Sequence, residues 1–305
     1  MKNIKPERKK TSTSPFGSSG RISHDSSEFY SSKLYQNLPQ HFQPAGEARD
    51  FPASLLDKVL LGTAEDMSLI PDNSVHLMIT SPPYNVSKTY DKNLSLEQYL
   101  NFLRTVFKET FRVLVPGGRA CINVANIGRK PYIPLADYLS MIMIETGFLM
   151  RGEIIWDKGA SAGVSTAWGS WKSASNPVLR DTHEYILVFS KGSFKRQLSK
   201  QEKEKKQNTI SKEDFIQWTK SVWSFPSGSA KKTGHPAPFP VELPHRLIQL
   251  YSFTGDIVLD PFMGSGTTAV AALQSGRHFT GFEIDENYIE LSRKRINLLK
   301  NKEKK

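Results

Sequence analysis

Cysteine is nearly absent from this chain of 305 residues, which holds one, Cys121. One thiol makes neither an internal disulfide nor a cysteine-based zinc cluster, which fits a reducing, intracellular compartment. Long apolar runs are also missing: none approaches the roughly 18 residues that span a bilayer. The basic N-terminus (Lys2, Lys5, Arg8, Lys9, Lys10) has no apolar segment behind it, which argues against a secretory signal. The sequence therefore reads as cytoplasmic, with no membrane partner. Hydrophobic residues are scarce at 38%, so part of the length is expected as solvated arm or loop. Acids are short as well, 30 against 41 Lys plus Arg, for a net charge of +11. Such a surplus suits a polyanionic partner, because each neutralised phosphate releases counterions. Simple solubility or a basic tail would produce the same total. His24, His41, His76, His183, His245 and His278 show no metal-ligand spacing, and no metal site is expected.

What is present is unevenly placed. Residues 1–50, rich in Ser, Lys and Pro, have no sustained period and read as a flexible arm, in which Tyr30, Leu34, Tyr35 and Leu38 could form one short docking helix. From Lys191 to Gly234 eleven basic and four acidic residues carry +7 of the +11. All five tryptophans, Trp156, Trp168, Trp171, Trp218 and Trp223, lie in the adjoining window. Cations interleaved with aromatics suit phosphates and unpaired bases, although tryptophans are more often core.

Between these stretches the pattern alternates. Short apolar strands are predicted at 58–61, 75–80, 119–124, 153–156, 183–190, 256–260 and 278–282. Helices are predicted at 96–114, stopped by Pro116-Gly117-Gly118, and at 135–145, 240–251, 267–274 and 286–299. Strand alternating with helix argues for a parallel sheet with crossovers. Residues 157–182 are Gly/Ser/Trp-rich and aperiodic, long for a connection and therefore suspect as functional. The lysine-rich residues 191–234 read as an excursion from the core, and 301–305 as a charged tail.

Two constellations carry chemistry. Asp260-Pro261-Phe262-Met263-Gly264-Ser265-Gly266-Thr267-Thr268 sits at a strand-to-helix junction. Its glycines let a ligand approach the backbone, and the helix offers its positive N-terminus. Nineteen residues past Gly264, at the end of the next strand, stands Glu283, followed by Asp285. An acid there is what the two hydroxyls of a nucleoside ribose need. No Lys follows the second glycine, so a phosphate loop is excluded; a plain structural turn is the alternative.

The second is Thr80-Ser81-Pro82-Pro83-Tyr84-Asn85, directly after a strand. Two prolines stiffen the loop and leave carbonyls without amide donors. An exocyclic base amine has its lone pair conjugated into the ring, and acceptors holding both N–H bonds localise it. The Ser81 oxygen and the Pro82 carbonyl are the candidates, with the Tyr84 ring available to stack on an extruded base. Taken alone, Pro-Pro is a turn after a strand.

Together these motifs resemble the amino-methyltransferases of DNA modification, whose catalytic tetrapeptide is Asp/Ser/Asn-Pro-Pro-Tyr and whose cofactor motif is Phe-x-Gly-x-Gly. The catalytic motif comes first here, by about 180 residues, which resembles the circularly permuted β-class. Protein-glutamine and RNA guanine methyltransferases with a similar tetrapeptide usually place the glycine motif first. Cytosine-C5 enzymes need a nucleophilic cysteine, whereas Cys121 falls inside a predicted strand.

The resemblance spans roughly residues 55–300 and implies an α/β, Rossmann-like class I methyltransferase fold. It further implies a mixed seven-stranded sheet with helices on both faces, entered by the chain near its middle. The catalytic domain would occupy 51–300, with 157–234 as an inserted target-recognition region. S-adenosylmethionine would be bound by Asp260, Phe262, Gly264, Ser265, Gly266, Thr267, Glu283 and Asp285. Ser81, Pro82, Pro83 and Tyr84 would be catalytic. Gly62 to Asp66 and Lys232 to Pro240 resemble further cofactor-lining segments. The implied substrate is double-stranded DNA methylated at cytosine N4, with adenine N6 as the alternative and a cognate restriction endonuclease as a potential companion. An inactive nucleic-acid-binding fold, or a methyltransferase acting on protein or RNA, are the rival readings.

Overall fold

A computed structural model of the protein describes residues 30–36, 46–84, 94–159, 168–196, 198, 200–228 and 239–303. The chain divides into two units, Met1–Phe42 and Gln43–Lys305. Of the first, the described residues hold one short 3-10 turn, Lys33–Tyr35, with the Tyr30 and Tyr35 rings edge to face at 5.0 Å. Of the rest of the expected arm only residues 46–50 are described, with the Arg49 N–H donating to the Asn73 carbonyl at 2.9 Å, and Leu38 lies outside the described residues.

The second unit is built on one sheet of eight strands in the order β1-β10-β9-β2-β3-β7-β6-β8. Its strands are β1 (Lys58–Leu61), β2 (Val75–Thr80), β3 (Leu114–Val124), β6 (Phe148–Asp157), β7 (His183–Lys191), β8 (Val222–Ser224), β9 (Ile257–Asp260) and β10 (His278–Glu283). A separate small hairpin pairs β4 (Ile127–Gly128) with β5 (Tyr132–Ile133). From β1 to β3 all pairings are parallel, while β7 runs antiparallel to both β3 and β6. Seven strands were expected; the eighth, β8, lies inside the supposed excursion and pairs parallel with β6. Three residues are too few to show a period, but Trp223 at its centre is 1% exposed. Hence part of the lysine-rich stretch is core. The expected entry near the middle is also corrected: β1 is an edge strand, and the chain reaches the middle with β2.

Helices cover both faces because the strands alternate. Met78, Ala120, Ile122, Leu187 and Leu259 point into one core, against α1 (Leu96–Val113) and α2 (Leu135–Thr146). Leu77, Ile79, Cys121, Ile186 and Val258 point into the other. There they meet α5 (Glu242–Tyr251), α6 (Thr267–Gln274) and α7 (Glu286–Glu303). Two shorter helices, α3 (Lys200–Lys205) and α4 (Lys212–Trp218), lie between β7 and β8. Each fully buried Leu, Ile or Phe contributes roughly 1.5–3 kcal/mol.

Helix α1 starts at a capping box, Ser95 Oγ accepting from the Gln98 N–H at 3.2 Å and Gln98 Oε1 from the Ser95 N–H at 2.9 Å. It stops at Val113, before Pro116-Gly117-Gly118, and these three belong to β3. The irregular register there, Val75 opposite Leu114 but Leu77 opposite Arg119, absorbs the extra residues. Gly117 turns at φ +76, and a Cβ on it would meet the Arg196 backbone at 2.6 Å. At the C-terminus α7 continues to Glu303, so most of the expected charged tail is helix.

Candidate active site and cofactor cavity

In an open parallel sheet, ligands bind outside the carboxyl ends of the strands, where the order reverses. Here β9 and β2 are neighbours in the sheet although about 180 residues apart in sequence. The loops that follow them, Pro261–Thr267 and Ser81–Tyr84, therefore open side by side into one cavity of about 520 Å³. That volume suits a small-molecule cofactor together with a reacting group.

One wall is the tetrapeptide Ser81-Pro82-Pro83-Tyr84, all four of whose residues line the cavity. Tyr84 is anchored at its tip, where Oη accepts from the Ala125 N–H at 3.1 Å. Tyr99 on α1 donates its hydroxyl to the Pro83 carbonyl at 2.7 Å, which fixes the loop from outside. The glycine loop after β9 forms the facing wall. Phe262, Gly264, Ser265, Thr267 and Glu283 line it. Glu283 Oε2 accepts from the Gly264 N–H at 2.7 Å, and Oε1 from the Ile284 and Asp285 amides at 2.9 and 3.0 Å. Burial raises the Glu283 carboxyl above its ordinary range, and those amides oppose the shift.

Three expected cofactor residues do not line the cavity. Asp260 is sealed beneath it at 1% exposure. It accepts the Thr80 and Thr268 hydroxyls, each at 2.7 Å, and the Phe262 amide at 3.1 Å. It thus ties the end of β2 to the glycine loop and to α6. Gly266 turns at φ +77 into α6, and a Cβ there would stand 2.8 Å from Ser292. Asp285 caps α7, its Oδ1 accepting from the Asn287 N–H at 2.8 Å. The Ser265 hydroxyl is already engaged by Arg295 at 2.9 Å.

Several lining residues had no motif to announce them. Gln98, Asn101, Phe102 and Thr105 present one face of α1 to the cavity, and Phe102 packs on Phe262 at 5.8 Å between ring centres. Their spacing along one helix face was the available signal. Gly62 to Glu65, from the loosely matching segment, also line it, as does Tyr288 on α7 beside Glu283. Arg112 holds the 67–72 loop that follows this segment, binding Asp72, Glu109 and the Met67 and Ile70 carbonyls at 2.7–2.9 Å. Of Lys232 to Pro240 only Phe239 and Pro240 are described, and Phe239 lines the cavity.

The charge of the cavity is distinctive. Among the described residues its lining contains two carboxylates, Glu65 and Glu283, and no Lys, Arg or His. A phosphate-bearing nucleotide would find no cation among these described lining residues. The sulfonium and ammonium of S-adenosylmethionine, a nucleoside that carries one carboxylate and no phosphate, suit this lining. Elsewhere, burial pushes the Cys121 thiol up to about 12, so it is an inert core residue. Glu184 binds Asn123 at 2.6 Å and Lys158 at 3.0 Å, a structural tie between strands. No group of three His, Cys, Asp or Glu poised for a metal occurs among the described residues. No described helix is long and apolar enough to cross a membrane.

This topology and cavity are those of a class I S-adenosylmethionine-dependent methyltransferase. The family is given by the comparisons: the DNA methylase model for N6 and N4 enzymes matches residues 75–294, and the chain belongs to that family. Type II methyltransferase M.MjaI of Methanocaldococcus jannaschii is 32% identical over 281 residues, covering 79% of this chain and 91% of its own. DNA adenine methyltransferase YhdJ of Escherichia coli K12 is 30% identical over 247 residues, covering 76% and 80% respectively. The Thermus thermophilus protein TTHA0409, solved with S-adenosyl-L-methionine, superposes with a TM-score of 0.64 at 33% identity, covering 78% and 92%. The chain is thus a DNA amino-methyltransferase that uses S-adenosylmethionine.

Proposed function

We propose that the protein methylates the exocyclic N4 amine of cytosine in duplex DNA, within a restriction-modification setting. The observation that carries the reading is the single cavity shared by Ser81–Tyr84 and the Phe262–Gly264–Glu283 loop, lined by acids and no described cation. When bound, S-adenosylmethionine supplies an electrophilic methyl on a sulfonium. Glu283 is the group to hold the ribose hydroxyls, with Phe262 and the Gly264 backbone beside it. Ser81 and the Pro82 carbonyl accept the amine hydrogens of a base turned out of the helix, and localise the nitrogen lone pair. Tyr84, pinned through its hydroxyl, keeps its ring in place for stacking. Proximity and exclusion of water do the rest, without a covalent intermediate. Serine rather than aspartate at position 81 favours cytosine, since Ser-Pro-Pro-Tyr is commoner among N4 enzymes.

Adenine N6 is the second reading, supported by the likeness to YhdJ. Tritiated S-adenosylmethionine offered with duplex DNA, tRNA and a protein lysate tests the substrate class. Label is expected in DNA alone; label in RNA or protein, or in none, overturns the reading.

A further inference from the structure

The lysine-rich stretch is the obvious candidate for holding DNA, but the topology puts three of its cations elsewhere. Lys191 pairs with Phe148 at the start of β6, at the end of the sheet opposite Ser81. It is buried, with Nζ on Asn73 Oδ1 at 2.7 Å and the Arg112 carbonyl at 3.0 Å. Arg196 and Lys206 are spent on Asp256, which is fully buried just ahead of β9 at that same opposite end. Burial pushes the Asp256 carboxyl upward, and the surrounding cations nonetheless hold it at about 2. These three cations tie the chain down.

A different surface stands beside the cavity. The β6–β7 connection leaves the sheet where Asp157 pairs with His183, at the end where β3 also finishes. The described part of that connection is an ordered loop: Gly169 bridges Pro177, the Val178 N–H donates to the Trp168 carbonyl at 3.0 Å, and the Ser170 N–H to the Asn176 carbonyl at 2.8 Å. Gly169 turns at φ +68, and a Cβ on it would collide with the Asn176 carbonyl. Arg129 of the β4–β5 hairpin pairs with Asp181 and joins the two elements. Just ahead of β4, Ala125 is the residue that anchors Tyr84.

This loop exposes large aromatics. Trp171 is 64% exposed and meets Trp168 edge to face at 5.3 Å. The Arg180 guanidinium lies 4.2 Å from the Trp168 ring centre, and the Lys172 ammonium 5.6 Å from that of Trp171. Across 127–133 and 168–182 there are four basic residues and one acid, Asp181. All five are exposed. An apolar protein partner would gain little from so many cations, whereas rings flanked by cations suit bases flanked by phosphates.

We propose that this loop and the β4–β5 hairpin form the surface that grips duplex DNA next to the cavity. Lys172 and Arg180 meet phosphates, and Trp171 packs against sugars and base edges in a groove, since the faces of paired bases are already stacked. The proposal rests on the DNA-methylating reading above. Binding of the full chain to random-sequence duplex DNA, titrated across salt, tests it. The Lys172→Ala/Arg180→Ala double variant should lose about tenfold in affinity and flatten the log-log salt slope by about 0.9 per phosphate contact removed. The exposed α3 pair Lys203→Ala/Lys205→Ala, between Lys191 and Lys206 in the chain, should leave both unchanged. Duplex DNA should quench tryptophan fluorescence in the wild type, and Trp171→Phe should lose most of that quenching while keeping affinity better than Trp171→Ala. Cofactor affinity and melting temperature should stay at wild type throughout. Unchanged affinity and slope in the loop variants, or a loss confined to the α3 variant, overturns the proposal while wild-type methylation of DNA still stands. A wild type that neither binds nor methylates DNA overturns both.

Discussion

Replacing Asp260 by Asn should make the protein's stability less dependent on pH, by an amount that the burial of this carboxyl sets. Burial pushes the Asp260 carboxyl from 3.8 up to about 6, against the opposing pull of the Thr268 and Thr80 hydroxyls and the Phe262 amide. The folded state therefore holds this proton more tightly than the unfolded chain. Its stabilising contribution is fully present below the unfolded value and is lost as pH rises through about 6. Two pKa units correspond to about 3 kcal/mol, of which about 2 kcal/mol falls between roughly pH 4.5 and 7. Asn titrates nowhere in that window. Urea unfolding of both proteins at a series of pH values isolates the effect, because all other groups cancel in the difference. The wild type should lose about 2 kcal/mol relative to Asp260→Asn between those pH values. A difference that stays constant with pH would show that the carboxyl titrates alike in both states, and that burial does not hold its proton.

Three further outcomes are expected. Gly264→Asp should weaken S-adenosylmethionine binding at least tenfold in calorimetry with little change in melting temperature, because the added carboxylate stands where the backbone meets both Glu283 and the ligand. Ser81→Ala should lower kcat far more than it changes DNA affinity, as an interaction with the amine lone pair is made chiefly in the transition state. Gly281→Ala should destabilise by about 1–3 kcal/mol in urea unfolding. Its Cβ would meet the Asp260 carbonyl at 2.6 Å as well as the Met263 methyl, so adding Met263→Ala should restore only part of the loss.

Much of this architecture is legible in the sequence, and the misses have identifiable causes. Strand 75–80 announces itself by a short continuous apolar run buried on both faces, and helix 96–113 by one apolar face. The place of Glu283 at the cavity is legible because it ends the strand that follows the glycine loop. Strand β8 was hidden, being three residues inside a run of lysines. Asp260 was read as a ligand, and its place beneath the loop depends on Thr80, a partner 180 residues away. The wall formed by α1 was missed for a similar reason: Gln98, Asn101 and Thr105 look like the solvated face of an ordinary amphipathic helix. Charge density misled as well, since Lys191, Arg196 and Lys206 are tied up inside the fold.

The identity of the product nucleoside decides which base amine enters the shared cavity. Duplex DNA treated with the enzyme and labelled S-adenosylmethionine is digested to nucleosides, and the labelled species is identified by mass. N4-methylcytosine is the expected product. N6-methyladenine alone would overturn the cytosine assignment and keep the shared cavity as an amine-methylating site, whereas 5-methylcytosine or unlabelled DNA would overturn the site itself.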